Sequence, residues 1–220
     1  MRNPEALIFD MDGVLVDSEP LHKRAKELAF AEIGLILPED VYDSYKGRPD
    51  RTMMPEVLKA YGRAADAARV MLRKKQFYEE IEHDLQAIAG SAEFVRWAAR
   101  HFRLALATSA TPRNRTAALR MLGVDECFQA IVDTDRFQRP KPDPEIFLVA
   151  MRDLALLPEQ CWVIEDSIAG VGAGKAATAF TIGITTTFGR ETLLQAGADL
   201  AVGSFSELRR LIERDSKFDV

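Results

Sequence analysis

The stretch Ala6-Leu7-Ile8-Phe9-Asp10-Met11-Asp12-Gly13-Val14-Leu15 decides the fold. Its first four residues are an unbroken apolar run, the mark of a strand buried on both faces. Such strands belong to parallel sheets with helices on either side. The run then meets two aspartates at spacing two and a glycine. Asp is a poor strand residue, and alternate residues of an extended segment project from the same face. Two carboxylates about 4 Å apart repel by roughly 4 kcal/mol at an effective dielectric of 20. Protonation, a cation or a hydrogen-bond network must compensate. Taken alone, a solvated turn also accounts for this segment, because Asp and Gly are common turn residues.

Working outward, the same pattern returns. Leu104-Ala105-Leu106-Ala107 ends in Thr108-Ser109, and Cys161-Trp162-Val163-Ile164 ends in Glu165-Asp166. Ala179 to Ile184 is a fourth strand and Leu200-Ala201-Val202 a weaker one. Helical spacing of apolar residues lies between them, over Glu93–Arg100, Arg113–Leu122, Glu145–Leu154 and Ser167–Ala177. Ser91, Asp143-Pro144-Glu145 and Ser167 are start signals for three of these helices. Strands alternating with helices predict an α/β fold with a parallel sheet, in which ligands bind beyond the carboxyl ends of the strands. Residues 18–88 break the rhythm with helical patterns over Leu21–Ile33, Thr52–Tyr61 and Ala65–His83. The expected organisation is a sheet domain of residues 1–17 and 89–220, with a helical domain, 18–88, inserted after the first strand.

Composition agrees with a globular chain. It has 220 residues, 47% hydrophobic and 29% charged, and a net charge of −5. A chain of this length buries roughly 70% of its unfolded surface, so it needs no disulfide or structural metal. The acidic balance argues against a nucleic-acid partner. No run of about 18 apolar residues offers a membrane span, and the amino-terminal residues lack a signal peptide's apolar stretch. Cys127 and Cys161 read as small buried hydrophobes in a reducing compartment, the cytoplasm. The basic run Arg73-Lys74-Lys75 reads as a solvated helix face. A monomer is the expectation.

The polar residues that end the strands weaken the solvated-turn reading. Together Asp10, Asp12, Glu165 and Asp166 supply four carboxylates, Thr108 a hydroxyl, and Lys141 an amine between two prolines. Oxygen ligands without His or Cys suit Mg²⁺ rather than zinc, and the ammonium and hydroxyl suit phosphate oxygens. Gly170-Val171-Gly172-Ala173-Gly174-Lys175-Ala176 superficially suggests a phosphate loop. It lacks the first Gly and the Ser/Thr after Lys, so these glycines are expected to let a helix approach the sheet.

These motifs resemble those of the haloacid dehalogenase (HAD) superfamily, in the group that carries a helical cap after the first motif. Phe9-Asp10-Met11-Asp12-Gly13-Val14-Leu15 resembles the first motif and Thr108 the second. Lys141 in Lys141-Pro142-Asp143-Pro144-Glu145-Ile146-Phe147 resembles the third, and Glu165-Asp166-Ser167 with Ala169-Gly170 the fourth. The similarity spans nearly the whole chain, which looks like β-phosphoglucomutase and its sugar-phosphate phosphatase relatives. It implies a Rossmann-like core with an inserted helical cap. It also implies that Asp10 is the nucleophile that forms an aspartyl-phosphate and that Asp12 is the general acid/base. Asp10, the backbone carbonyl of Asp12, Asp166 and, directly or through water, Glu165 would hold Mg²⁺. Thr108 and Lys141 would bind the transferring phosphoryl, with the Ser109 backbone completing the cradle. An acid at Asp12 favours phosphoryl transfer over carbon–halogen cleavage.

By the same resemblance the cap reads the substrate. His22, after the linker-like Asp17-Ser18-Glu19-Pro20-Leu21, matches a cap-hinge histidine. Lys46-Gly47-Arg48 resembles the cap's substrate loop, so Arg48 or Arg51 could hold a distal phosphate, and Lys74 falls near a sugar-contacting position. Ala110 and Pro112 stand where the mutase pattern has a serine and an asparagine that serve a second phosphate. A Mg²⁺-dependent phosphatase of a small phosphorylated metabolite, a sugar phosphate, is therefore ranked first. A phosphomutase is second, and a catalytically silent binding protein third.

Overall fold

The computed structural model describes residues 4–45, 50–63 and 65–215. The chain forms two compact units, Met1–Asp17 with Ala87–Val220, and Ser18–Gln86. The return to the first unit thus falls two residues before the boundary expected from the sequence. In chain order the strands are β1 (Ala6–Phe9), β2 (Val16–Asp17), β3 (Gln86–Ala87), β4 (Arg103–Ala107), β5 (Ala130–Val132), β6 (Cys161–Glu165), β7 (Phe180–Ile184) and β8 (Leu200–Val202). The α-helices are α1 (Glu19–Ala31), α2 (Glu39–Ser44), α3 (Asp50–Ala60), α4 (Ala67–Ile81), α5 (Ser91–Ala98), α6 (Pro112–Leu122), α7 (Glu145–Asp153), α8 (Ile168–Ala176), α9 (Arg190–Gln195) and α10 (Phe205–Asp215).

The first unit is built on a parallel sheet in the order β5-β4-β1-β6-β7-β8. Every residue of β1 and β6 is buried, which is why the two read as continuous apolar runs rather than alternating ones. One face packs on α7 and α8. There Ile8, Ala105 and Val163 meet Ile146, Phe147, Ala150 and Ala173. The side chain of Phe9 meets Phe94 of α5 and Phe128 edge-on, each at 6.1 Å between ring centres. The sequence reading did not mark β5, because a three-residue edge strand is too short to show a period. It also passed over α9 and α10.

Register matters more than outline. Phe9 pairs with Leu106 on one side and Ile164 on the other. The residues that follow, Asp10, Ala107-Thr108 and Glu165, therefore leave the same edge of the sheet at one level. Backbone bonds extend the alignment past the strand ends, from Asp10 N–H to the Ile164 carbonyl at 3.0 Å and from Thr108 N–H to the Val132 carbonyl at 2.9 Å.

The start signals divide. The Ser167 hydroxyl caps α8, accepting from the Gly170 N–H at 3.0 Å. Asp143 accepts from the Glu145 N–H at the start of α7. At α5 the cap is Gly90, left-handed at φ 78°, and Ser91 is already helical. The Ser91 hydroxyl instead donates to the Leu15 carbonyl, which also accepts the Ile88 N–H. The glycines of α8 do bring helix and sheet together. A Cβ on Gly174 would lie 2.6 Å from the Thr181 hydroxyl.

The second unit packs α1, α3 and α4 around Phe30, Met53, Met54, Val57, Leu58 and Val70. Here one expectation needs correction. Arg73-Lys74-Lys75 is not a solvated face throughout. Lys75 is exposed, but Lys74 is buried, because one turn of helix points neighbouring residues about 100° apart. Among the described residues no helix is long and apolar enough to cross a membrane.

Candidate active site

The carboxyl edge of the sheet gathers charge into a small buried space. Lys141 extends its ammonium to the Asp10 carboxylate at 2.5 Å, to the Glu165 carboxylate at 2.6 Å and to the Ala107 carbonyl at 3.4 Å. Residues 131 and 24 positions away from it in the chain thus share one cation. Asp10, Glu165, Asp166 and Thr108 are all buried. The second Glu165 oxygen accepts from the backbone N–H groups of Asp166 and Ser167, both at 2.9 Å, and from the Ser167 hydroxyl at 3.0 Å. Glu165 is thereby clamped at both oxygens. Gly170 supplies the room, since a Cβ there would fall 1.7 Å from a Glu165 oxygen.

Asp10, Glu165 and Asp166 each offer a carboxylate oxygen, and these lie within 4.8 Å of one another. Three carboxylates face the one ammonium of Lys141, and the electrostatics record the surplus. Burial pushes the Asp10 carboxyl up to about 8; Lys141 pulls against this while Glu165 and Asp12 add to it. Asp166 is raised well above the usual carboxylate range by burial, then by Glu165 and Asp10, with a Thr187 hydrogen bond opposing. Burial by itself would lower Lys141, but Asp10 and Glu165 outweigh it and raise its pKa, so the ammonium stays charged. A buried, all-oxygen set with excess negative charge fits a hard divalent cation.

Asp12 lies in the tight turn after β1 and is half-buried. The Met11 carbonyl accepts from the N–H groups of Val14, Leu15 and Val16, and Gly13 N–H donates to Val16 at 2.7 Å. Gly13 takes φ +76°, and a Cβ on it would lie 1.9 Å from an Asp166 oxygen. Only glycine suits both demands. The Thr108 hydroxyl accepts from the Ala110 N–H at 3.0 Å, and Ser109 is exposed.

The remaining predicted residues belong to the second unit. The Lys74 ammonium lies 2.7 Å from Asp50 and 3.1 Å from His22 Nδ1. Lys26 reaches the same Asp50 at 3.7 Å, and the His22 ring stacks on Tyr78 at 4.4 Å. Burial, then Lys74, pulls the His22 imidazole down to about 3, so it is neutral and accepts from Lys74. His22 and Lys74 are therefore neighbours in one cluster. Arg51 is exposed on the first turn of α3 and outside that cluster. Arg48 lies outside the described residues.

Sequence reasoning missed Asp50, Lys26, Ser167 as a partner of Glu165, and the threonines after β7. Thr185-Thr186-Thr187 also ends a strand, and the rule applied to the other strand ends would have found it.

A family model for haloacid dehalogenase-like hydrolases matches residues 4–178. A phosphorylated carbohydrates phosphatase of Thermotoga maritima is 35% identical over 206 residues, covering 88% of this chain and 92% of that protein. A β-phosphoglucomutase of Bacillus subtilis is 31% identical over 214 residues, covering 93% and 91%. The crystal structure of CbbY from Rhodobacter sphaeroides in complex with phosphate aligns with a TM-score of 0.78 at 28% identity, covering 93% of this chain and 96% of that one.

Proposed function

The chain belongs to the haloacid dehalogenase-like hydrolase family, and on that premise we propose that it is a phosphatase that hydrolyses the phosphomonoester of a small phosphorylated metabolite, a sugar phosphate, through an aspartyl-phosphate on Asp10. The observation that carries this reading is the Lys141 ammonium bridging Asp10 and Glu165 at 2.5 and 2.6 Å. A nucleophilic carboxylate must meet an anionic phosphoryl group, and a fixed cation beside it lowers that repulsion.

In the first step a carboxylate oxygen of Asp10 attacks phosphorus, and the bond to the leaving oxygen breaks. Asp12 gives its proton to that oxygen. In the second step water attacks the same phosphorus while Asp12 takes its proton, phosphate leaves and the Asp10 carboxylate is restored. Lys141 and Thr108, with Ser109, hold the phosphoryl oxygens. Asp10, Glu165, Asp166 and the Asp12 carbonyl would hold Mg²⁺, which when bound supplies positive charge against the phosphoryl oxygens. His22, Lys74, Arg51 and Arg48 are the candidates for substrate selection. The free thiols of Cys127 and Cys161 suit a cytoplasmic enzyme.

Turnover of an aryl phosphate in the presence of Mg²⁺, lost in Asp10→Asn, is expected. Absence of turnover across a broad panel of phosphorylated metabolites would overturn the reading. The identity to the Bacillus subtilis β-phosphoglucomutase favours a phosphomutase as the second reading, while Ala110 and Pro112 favour the hydrolase. Incubation with β-glucose 1-phosphate and a trace of bisphosphate decides between them. Free sugar and phosphate support hydrolysis, and accumulating glucose 6-phosphate supports the mutase.

A further inference from the structure

The loop after β7 touches two parts of the acidic centre at once. Thr186 donates its hydroxyl to the carbonyl of Gly13. The hydroxyl of the next residue, Thr187, lies beside the carboxylate of Asp166 and pulls that group's pKa down. Both contacts converge on Gly13, where a Cβ would lie 1.9 Å from Asp166 Oδ2 and 2.9 Å from Thr187 Oγ1. The carboxylate and the hydroxyl thus pack together on the bare Cα of Gly13.

The loop is anchored at both ends. Thr185 N–H donates to the Val202 carbonyl of β8 at 2.9 Å. Phe188 packs against Val171, Leu193 and Ala198. With its flanks fixed to β8 and to the α8–α9 side of the sheet, the loop reaches back across β6 towards the turn after β1. The Thr186 hydroxyl also reaches the Ile184 carbonyl at 3.5 Å, while that of Thr187 faces the Asp166 carboxylate.

We propose that Thr187 is a positioning residue for the cation site: its hydroxyl orients the Asp166 carboxylate towards the oxygens of Asp10 and Glu165. This rests on the proposed role of that acidic group in holding Mg²⁺. Glu165 is aimed by Ser167 and two backbone N–H groups, and Asp10 by Lys141. Thr187 is the corresponding support for Asp166. A carboxylate whose second oxygen is hydrogen-bonded loses less freedom on taking a cation, and removing such support weakens metal affinity about 10-fold to 100-fold.

The test measures Mg²⁺ binding to the whole protein by titration calorimetry, without substrate, in wild type, Thr187→Val and Thr187→Ser. Valine keeps the shape and removes the hydroxyl; serine keeps the hydroxyl. The expected result is a Kd for Mg²⁺ raised about 10-fold in Thr187→Val and restored to near wild type in Thr187→Ser. Turnover at saturating Mg²⁺ should change far less than the Mg²⁺ concentration needed for half-maximal rate. Unchanged affinity in Thr187→Val, with wild type binding normally, overturns the role of Thr187 and leaves the proposed activity intact. Loss of affinity in both variants marks a packing role and also overturns it. Failure of wild type to bind Mg²⁺ overturns the cation site itself, and this inference with it. Circular dichroism of Thr187→Ser and Thr187→Val checks that both are folded.

Discussion

At the scale of single residues, the centre is arranged at a cost to the metal-free protein. Asp10 has an ordinary carboxyl value of 3.8 and is raised to about 8 in the fold. The folded state therefore binds its proton more tightly than the unfolded chain does. Stability falls as pH climbs between those two values, and Asp166 acts in the same direction. In EDTA, Asp10→Asn should therefore gain stability over wild type at about pH 8 and little at about pH 4, read by urea denaturation. Lys141 keeps Glu165 as a partner in that variant. Lys141→Met removes the ammonium that contacts Asp10 and Glu165 and should destabilise by roughly 3–5 kcal/mol at neutral pH, because the buried acidic groups lose their counter-charge. Equal urea midpoints for Lys141→Met and wild type would remove the ion pair from any structural account. Asp10 and Lys141 were legible as candidates only together with the other polar residues that end strands, since each alone also reads as a turn or loop residue. Their separation of 2.5 Å was not, because it depends on how β1 and the segment before α7 pack.

At the scale of elements, α8 ties the chemistry to the fold. Its first turn is capped by Ser167, whose hydroxyl also meets Glu165, and Gly170 faces the Glu165 carboxylate. Gly170→Ala would drive a methyl into that carboxylate and break its contact with Lys141. Loss of more than about 10-fold in kcat is expected, with a lower melting temperature. Gly172 is on the same helix, but its Cβ would meet only Pro142 Cβ at 3.4 Å. Gly172→Ala should retain most activity and gain or lose less than about 1 kcal/mol. Equal losses in the two variants would mean that the approach of Gly170 to Glu165 is not what sets its sensitivity. The glycine pattern signalled close packing from sequence, but which glycine faced the Glu165 carboxylate depended on the helix's rotation about its axis. The basic run of α4 teaches the same lesson. Its charge predicted exposure, yet Lys74 turns inward to Asp50 and His22.

At the scale of the whole molecule, a cation and an excision can be tested. Mg²⁺ at about 100 times its Kd should stabilise the folded protein by about 2.7 kcal/mol, seen as a rise in melting temperature. The rise should shrink in Asp166→Asn, whose carboxylate is one of the three in the buried group. The first unit carries its own sheet and core, and the two ends of the insertion are already joined through Leu15, Ile88 and Ser91. Replacing residues 18–86 by a short Gly/Ser linker should leave a cooperatively folded domain. Calorimetry checks this, and the absence of a melting transition would show that the insertion is required for folding.

By itself the sequence determined the buried runs of β1, β4, β6 and β7, the helices between them, the helical insertion after β1 and the polar residues that close the strands. Apolar periodicity and strand-ending acids are local features, because burial and backbone geometry act on each segment separately. Tertiary structure alone decided the order β5-β4-β1-β6-β7-β8 and the register that levels Asp10 with Glu165. It also decided the inward turn of Lys74 and the reach of Thr186 and Thr187 back to Gly13 and Asp166. These depend on pairing between segments far apart in the chain, where no local pattern records which neighbour is met or at what distance.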